Sequence, residues 1–226
     1  MQGTAIAAVI GLFLFGLCGC EGRSSSDALA AEAGKAQAGA EGHKEAGLVK
    51  VKVFNKSGQL VGPVEMAKVV KTDAEWQKQL TPEQYQISRG KGPERPFCGT
   101  LLDNKKEGVY ACIGCMLPLF SSDSRFNSGT GWPSFFQPVA KENVTEHVDR
   151  GHGMVRTEIL CARCDGHLGH VFDDGPRPTG LRFCVNSESL TFVDKSKLAT
   201  LADPAAEEKS AAAKPAANEP QASQKQ

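Results

Sequence analysis

Net charge is the first thing this chain lacks. Its 226 residues carry 26 Lys and Arg against 26 Asp and Glu. A neutral balance gives no long-range pull toward nucleic acid or an anionic surface, so no nucleic-acid partner is expected. Aromatic residues are also few, at 7%, while 24 Gly and 12 Pro point to a turn-rich chain. No Gly-rich nucleotide loop and no flavin motif is present, so any redox chemistry has to rest on side chains. A long apolar run is missing too. Ala5 to Gly19 is apolar and small, but it falls short of the roughly 20 residues a membrane span needs.

The two ends lack apolar periodicity and read as non-globular. Met1 to Gly22 has the character of an export signal and contains Leu17-Cys18-Gly19-Cys20. That stretch resembles a bacterial lipoprotein box, in which Cys20 would become the lipidated N-terminus. No Lys or Arg precedes the apolar run, whereas export signals usually open with basic residues; a mis-assigned start codon or an uncleaved anchor would account for that. Glu21 to Ala46 is rich in Ala, Gly, Ser and Glu and reads as a flexible tether. Asp203 to Gln226 has a similar composition. The expected organisation is therefore a signal and lipobox over 1–20, a linker over 21–46 and a β-hairpin extension over 47–70. The main domain covers 71–199, and a disordered tail covers 200–226. Such a protein is exported in a bacterium and anchored by lipid through Cys20 on the periplasmic side.

Between the ends the pattern is mostly short strands. Val49 to Phe54 alternates, Asn55-Lys56-Ser57-Gly58 is a turn, and Gln59 to Val64 can return as a second strand. Thr72-Asp73-Ala74-Glu75 carries the residues of a capping box and predicts a helix to about Gln79. Thr81-Pro82 opens another. Gly90 to Pro96 is a basic loop ending at Phe97-Cys98-Gly99. Strands follow at 109–112, 154–160, 167–172, 181–186 and 190–193. The fold class expected is mainly β, with a helical preface.

Cysteine is the residue in surplus, at eight. Cys18 and Cys20 belong to the signal. Cys112-x-x-Cys115 and Cys161-x-x-Cys164 form two knuckles, 45 residues apart. Four such thiolates suit a structural zinc ion, which prefers a closed tetrahedron of sulfur ligands. Two disulfides or a redox CxxC are the competing readings. Cys98 and Cys184 are left over. One nucleophilic thiol and one spare thiol are the minimum for thiol redox chemistry; a structural disulfide, or two unrelated buried thiols, would use them as well.

Leu181-Arg182-Phe183-Cys184-Val185-Asn186-Ser187 alternates as a half-buried strand does. Phe183 and Val185 would face one side, and Arg182, Cys184 and Asn186 the other. A cation beside a thiol favours thiolate, the nucleophilic form.

Taken together, Arg182 to Ser187, His167-Leu168-Gly169-His170-Val171-Phe172, Ser128-Gly129-Thr130-Gly131-Trp132-Pro133-Ser134-Phe135 and the two knuckles resemble the B-type methionine sulfoxide reductases, over roughly Lys71 to Val193. That resemblance implies two small antiparallel sheets with N-terminal helices, a β-tent-like fold clamped by one structural Zn2+ on Cys112, Cys115, Cys161 and Cys164. It implies thiol-dependent reduction of methionine R-sulfoxide, free or in proteins. Cys184 would be the nucleophile, His170 a proton donor and Asn186 a polar anchor. Trp132 would form an apolar wall for the S-methyl group, with His167 and Arg182 also at the substrate. Many family members carry a second redox cysteine where Thr130 stands. Others carry it in the loop that here holds Cys98, which makes Cys98 the resolving thiol and a thioredoxin-like reductant the partner. Nothing requires more than a monomer. The competing function is a zinc-scaffold binding module with a merely structural Cys184.

Overall fold

The computed structural model describes residues 47–206. The expected signal and lipobox, the linker up to residue 46 and the tail beyond Ala206 lie outside the described residues.

The alternation that opens this region forms a hairpin, β1 (Leu48–Phe54) and β2 (Leu60–Ala67). Its turn is closed by Asn55, whose Oδ1 accepts the N–H groups of Ser57 (3.0 Å) and Gln59 (2.9 Å). The hairpin is no appendage. Val51, Val53, Val64 and Met66 from its inner face belong to the main apolar core. Two helices follow, α1 (Asp73–Gln79) and α2 (Pro82–Ser88), and each has a complete capping box, on Thr72 with Glu75 and on Thr81 with Gln84. Both begin where the cap residues predict, because each box satisfies backbone N–H groups that a helix start leaves orphaned.

The remaining strands are β3 (Gly108–Cys112), β4 (Pro118–Ser121), β5 (Arg125–Phe126), β6 (Ser134–Phe135), β7 (Val144–Asp149), β8 (Arg156–Cys161), β9 (His167–Phe172), β10 (Arg182–Val185) and β11 (Leu190–Asp194). They build a three-stranded sheet in the order β11-β3-β4 and a six-stranded sheet in the order β5-β6-β10-β9-β8-β7. All their pairings are antiparallel. The fold is mainly β, as the sequence predicts, with the hairpin as an extra two-stranded sheet. Aromatic rings join the two larger sheets: Phe120 of β4 stacks on Phe135 of β6 at 4.6 Å, and Tyr110 of β3 meets the same ring edge-on at 5.0 Å. Rings in these arrangements add about 0.5–1.5 kcal/mol per pair beyond the area they bury.

One boundary needs correction. Residues 200–206 are expected in the disordered tail, yet Leu201 and Ala206 are buried. Ala202 bridges to Phe54, and Asp203 N–H donates to Phe54 O at 3.0 Å. The apolar partners of Leu201 include Phe54, Val109 and Ala111, far back in the chain, so no local periodicity announces these buried positions.

Candidate active site

β10 runs inside the larger sheet, paired with β6 on one side and β9 on the other. Phe183 and Val185 point into the core, and both are buried. Cys184 therefore faces the opposite side, as the alternation predicts. Register then does what sequence spacing cannot show. Cys184 lies opposite Ser134 on β6 and His170 on β9; His170 lies opposite Glu158 on β8. Directly opposed residues share a face and sit about 4.5–5.5 Å apart. A thiol, an imidazole and a carboxylate thus form one row across three strands.

A bulge shapes the same row. The β8–β9 register shifts between Ile159 and Leu160, so His167 and His170, three apart, share a face and lie 5.6 Å apart between ring centroids. Gly169 lies between them with φ +151°, and a Cβ there would meet Cys184 O at 2.0 Å. Only glycine lets β9 close this tightly on the strand of Cys184.

Both imidazoles are backed by carboxylates. His170 Nε2–H donates to Asp149 Oδ2 (2.8 Å), which also accepts from Arg156 Nη2 (2.6 Å); Gly151 N–H donates to Oδ1 (2.8 Å). The Gly151 N–H first, then His170 and Arg156, hold the Asp149 carboxyl well below the usual carboxylate range. His167 Nδ1–H donates to Glu158 Oε1 (2.6 Å), and Lys91 Nζ donates to Oε2 (2.8 Å). Burial would raise the Glu158 carboxyl, but Lys91 and His167 outweigh it and the net shift is down. Burial also pushes His167 below the ordinary imidazole value, against the attraction of Glu158. A buried ring of lowered pKa is neutral at pH 7.

These groups surround a cavity of about 560 Å3. Of the expected residues, Cys184, His170, Asn186, Trp132 and His167 all line it. Asn186 opens a short 3-10 turn, yet its side chain makes no capping bond to that turn, which leaves the carboxamide for a ligand. Arg182 is not on the cavity wall. Its guanidinium forks onto Asp174 (2.8 Å to each oxygen) and lies 4.3 Å from the Phe172 ring centre. It acts on Cys184 through its charge and a side-chain hydrogen bond, both of which lower the thiol's pKa. Asp174 is its anchor.

The adjacent cation acts on the thiol in the expected direction but does not prevail. Burial pushes the Cys184 thiol above its ordinary value, and Arg182 and Thr130 only partly oppose this. Thr130 Oγ1 is 4.0 Å from Cys184 Sγ and ends a chain of hydroxyls through Ser128 (2.8 Å) to Ser134 (2.7 Å). Cys98 is exposed and unbonded. Its loop meets the site on both flanks: Phe97 N–H donates to Gly131 O at 2.8 Å, and Gly99 packs against Ser187.

Sequence reasoning missed Glu94, Asp149 and Glu158, which all border the cavity. Only Glu158 had a signal, a charge inside an otherwise apolar strand end. Asp149 and Glu94 sit in or beside loops that close on the site from far away.

The two knuckles also meet. The four sulfurs of Cys112, Cys115, Cys161 and Cys164 all lie within 4.8 Å of one another. Cys112 Sγ is 3.6 Å from Cys164 Sγ, and Cys115 Sγ is 3.5 Å from Cys161 Sγ. A disulfide needs about 2.05 Å, so these are free thiols grouped at metal-binding distance.

Residues 80–194 match the SelR domain. The chain is also similar to the peptide methionine sulfoxide reductase MsrB of Hahella chejuensis, with 61% identity over 127 residues, 56% of this chain and 91% of the relative. The MsrB of Agrobacterium fabrum is 59% identical over 125 residues, covering 55% of this chain and 93% of its own. That of Leptospira interrogans is 59% identical over 124 residues, 55% of this chain and 95% of its own.

Proposed function

The chain belongs to the B-type methionine sulfoxide reductases, and we propose that Cys184 is the atom through which it reduces methionine R-sulfoxide to methionine. The observation that carries the assignment is the single cavity shared by Cys184, His170, Asn186 and Trp132. Sulfoxide sulfur is electrophilic only when its oxygen is protonated or well hydrogen-bonded. Cys184 attacks that sulfur. The oxygen passes to the cysteine, the S–O bond to methionine breaks, and the products are methionine and a Cys184 sulfenic acid. The proton count balances, because the thiol proton ends on the sulfenic oxygen. His170, held by the ionised Asp149, assists the proton transfer at the oxygen. Asn186 fixes the polar end of the substrate, and the Trp132 ring receives the S-methyl group, a contact of about 0.3–1.5 kcal/mol.

Regeneration needs a second thiol. We assign it to Cys98: its S–H attacks the sulfenic sulfur, an S–S bond forms and water leaves. A dithiol donor of the thioredoxin type then reduces the disulfide. The packing of Phe97 against Gly131 and of Gly99 against Ser187 supports this reading.

The four-cysteine cluster is read as a zinc site. A tetrahedron with Zn–S bonds of about 2.3 Å has edges of about 3.8 Å; two of the sulfur separations are 3.5 and 3.6 Å. Four thiolates leave no open position, so zinc held by Cys112, Cys115, Cys161 and Cys164 supplies scaffold stability and takes no part in the reaction.

The test assays wild-type protein and Cys184→Ser with each epimer of methionine sulfoxide, measuring methionine formed. Wild type should convert the R epimer, and the variant should lose essentially all conversion. Conversion at the wild-type rate in Cys184→Ser would sink the assignment and favour a binding module on the same fold.

A further inference from the structure

The loop that carries Cys98 belongs to no sheet, yet it forms one wall of the cavity. Lys91, Gly92, Pro93 and Glu94 line it. Three anchors hold the loop down. Lys91 Nζ reaches Glu158 at 2.8 Å, and Phe97 N–H reaches Gly131 O at 2.8 Å. The third lies between these two and is the most buried. Glu94 Oε2 accepts the N–H of Ser187 (2.9 Å), and Oε1 accepts the N–H of Glu188 (3.0 Å). Ser187 is two residues beyond Val185, the last residue of the nucleophile's strand. Five residues along the loop from Glu94, Gly99 lies flush on the same serine; a Cβ there would meet Ser187 Oγ at 2.1 Å.

Glu94 is itself 7% exposed, and burial raises its carboxyl above the ordinary value, against the two N–H donors that lower it. A buried carboxyl is costly to keep at a surface loop unless it fixes something. What it fixes can be decided from the sheet. Cys184 does not depend on Glu94: β10 is hydrogen-bonded on both sides, and Val185 N–H and Asn186 N–H are taken by Pro133 O (2.9 Å) and Leu168 O (2.8 Å). The Cys98 loop has no such ladder. Loss of Glu94 therefore frees the loop more than the nucleophile.

We infer that Glu94 is a positioning residue for the resolving step: its carboxylate registers the Cys98 loop on the turn after Cys184, so that Cys98 meets the sulfenic sulfur. The step it serves balances as Cys184–S–OH plus HS–Cys98 giving the disulfide and water. This inference rests on the assignment of Cys98 as resolving thiol.

The experiment mixes the full-length protein with stoichiometric methionine R-sulfoxide and no reductant. Methionine released reports the first step. Intact mass and peptide mapping report the Cys98–Cys184 disulfide, and dimedone traps sulfenic acid on Cys184. In Glu94→Ala, disulfide formation should slow at least tenfold more than methionine release, and the dimedone adduct should accumulate. Glu94→Gln keeps one carbonyl oxygen for one of the two N–H groups and should recover part of the rate. Equal slowing of both steps, with a matching fall in Tm, would make Glu94 merely structural and overturn the inference. So would an unaltered disulfide rate in Glu94→Ala. If wild type itself forms no Cys98–Cys184 disulfide, the Cys98 assignment falls and takes this inference with it; the wild-type map distinguishes that failure from a failure of Glu94 alone.

Discussion

Asn143 is fully buried in the turn just before β7, and replacing it with Ala should cost about 4 kcal/mol, from about 1–3 kcal/mol for each buried group left unpaired. Its Oδ1 accepts Lys52 N–H at 2.8 Å, and its Nδ2 donates to Lys52 O (2.8 Å) and Pro118 O (2.7 Å). One carboxamide thus ties the β1–β2 hairpin to β4 and the rest of the domain. The amide orientation is unambiguous, since the flipped group would turn its oxygen toward two carbonyls. Asn143→Ala leaves one N–H and two carbonyl oxygens unpaired, at about 1–3 kcal/mol for each buried group. Lys52 is half-buried, so water recovers part of its loss; Pro118 is buried and recovers little. Hence about 4 kcal/mol, near a third or more of a typical domain stability of about 5–15 kcal/mol. Urea unfolding followed by the fluorescence of buried Trp76 measures it, with the m-value expected to hold. Asn143→Asp keeps the acceptor but sets a carboxylate against two carbonyl oxygens, and should be at least as destabilised at pH 7. The consequence reaches the cysteine cluster, because Val69 N–H donates to Arg163 O (2.7 Å) and Lys68 pairs with Asp165 (2.7 Å) beside the second knuckle. A loosened hairpin should release bound metal faster. An Asn143→Ala protein within 1 kcal/mol of wild type (about 1–3 kcal/mol per unpaired group being the premise) would refute the reasoning.

Cys98→Ser should release one methionine per chain and then stall with a thioredoxin-type reductant. Adding Thr130→Cys should restore turnover, since Thr130 Oγ1 already lies 4.0 Å from Cys184 Sγ; a Cys98→Ser protein with full turnover on the same reductant would remove Cys98 from the cycle. Metal removal should be more drastic. Structural zinc contributes about 10–16 kcal/mol in zinc-finger peptides, as much as or more than a whole domain's stability. Chelated protein, or Cys112→Ser, should therefore lose near-UV circular dichroism and its cooperative melt, and retention of the wild-type Tm after verified metal loss would count against a structural metal.

What could be read from sequence divides along a physical line. Local devices were legible: the capping boxes at Thr72 and Thr81, the alternation around Cys184 and the paired knuckles each state their structure within a few residues. Devices set by long-range register were not. The row from Cys184 through His170 to Glu158 depends on which strands pair and where β9 bulges. β4 and β7 escaped notice because Pro118–Ser121 lacks alternation and β7 exposes much of its length. Asp149 and Glu94 carry no motif; each acquires its role only when a loop folds back on the site. Leu201 and Ala206 were missed for the same reason, since their burial is supplied by residues far back in the chain.

The resting state of Cys184 follows from a competition that the strand pattern alone misjudges. Arg182 stands beside the thiol, and an isolated guanidinium there would favour thiolate. This guanidinium is not isolated. Asp174 holds it with two hydrogen bonds and opposes its field at the sulfur slightly, while burial, the largest effect, disfavours the charged form. The thiol therefore waits protonated. That suits the mechanism proposed above, in which the sulfoxide oxygen must gain a proton as Cys184 attacks: in that proposal one group brings both the electron pair and the proton, and His170, fixed by Asp149, would only have to move that proton across the cavity. A permanently ionised cysteine would attack faster in isolation, but it would leave the oxygen without its proton and expose the sulfur to oxidants at rest.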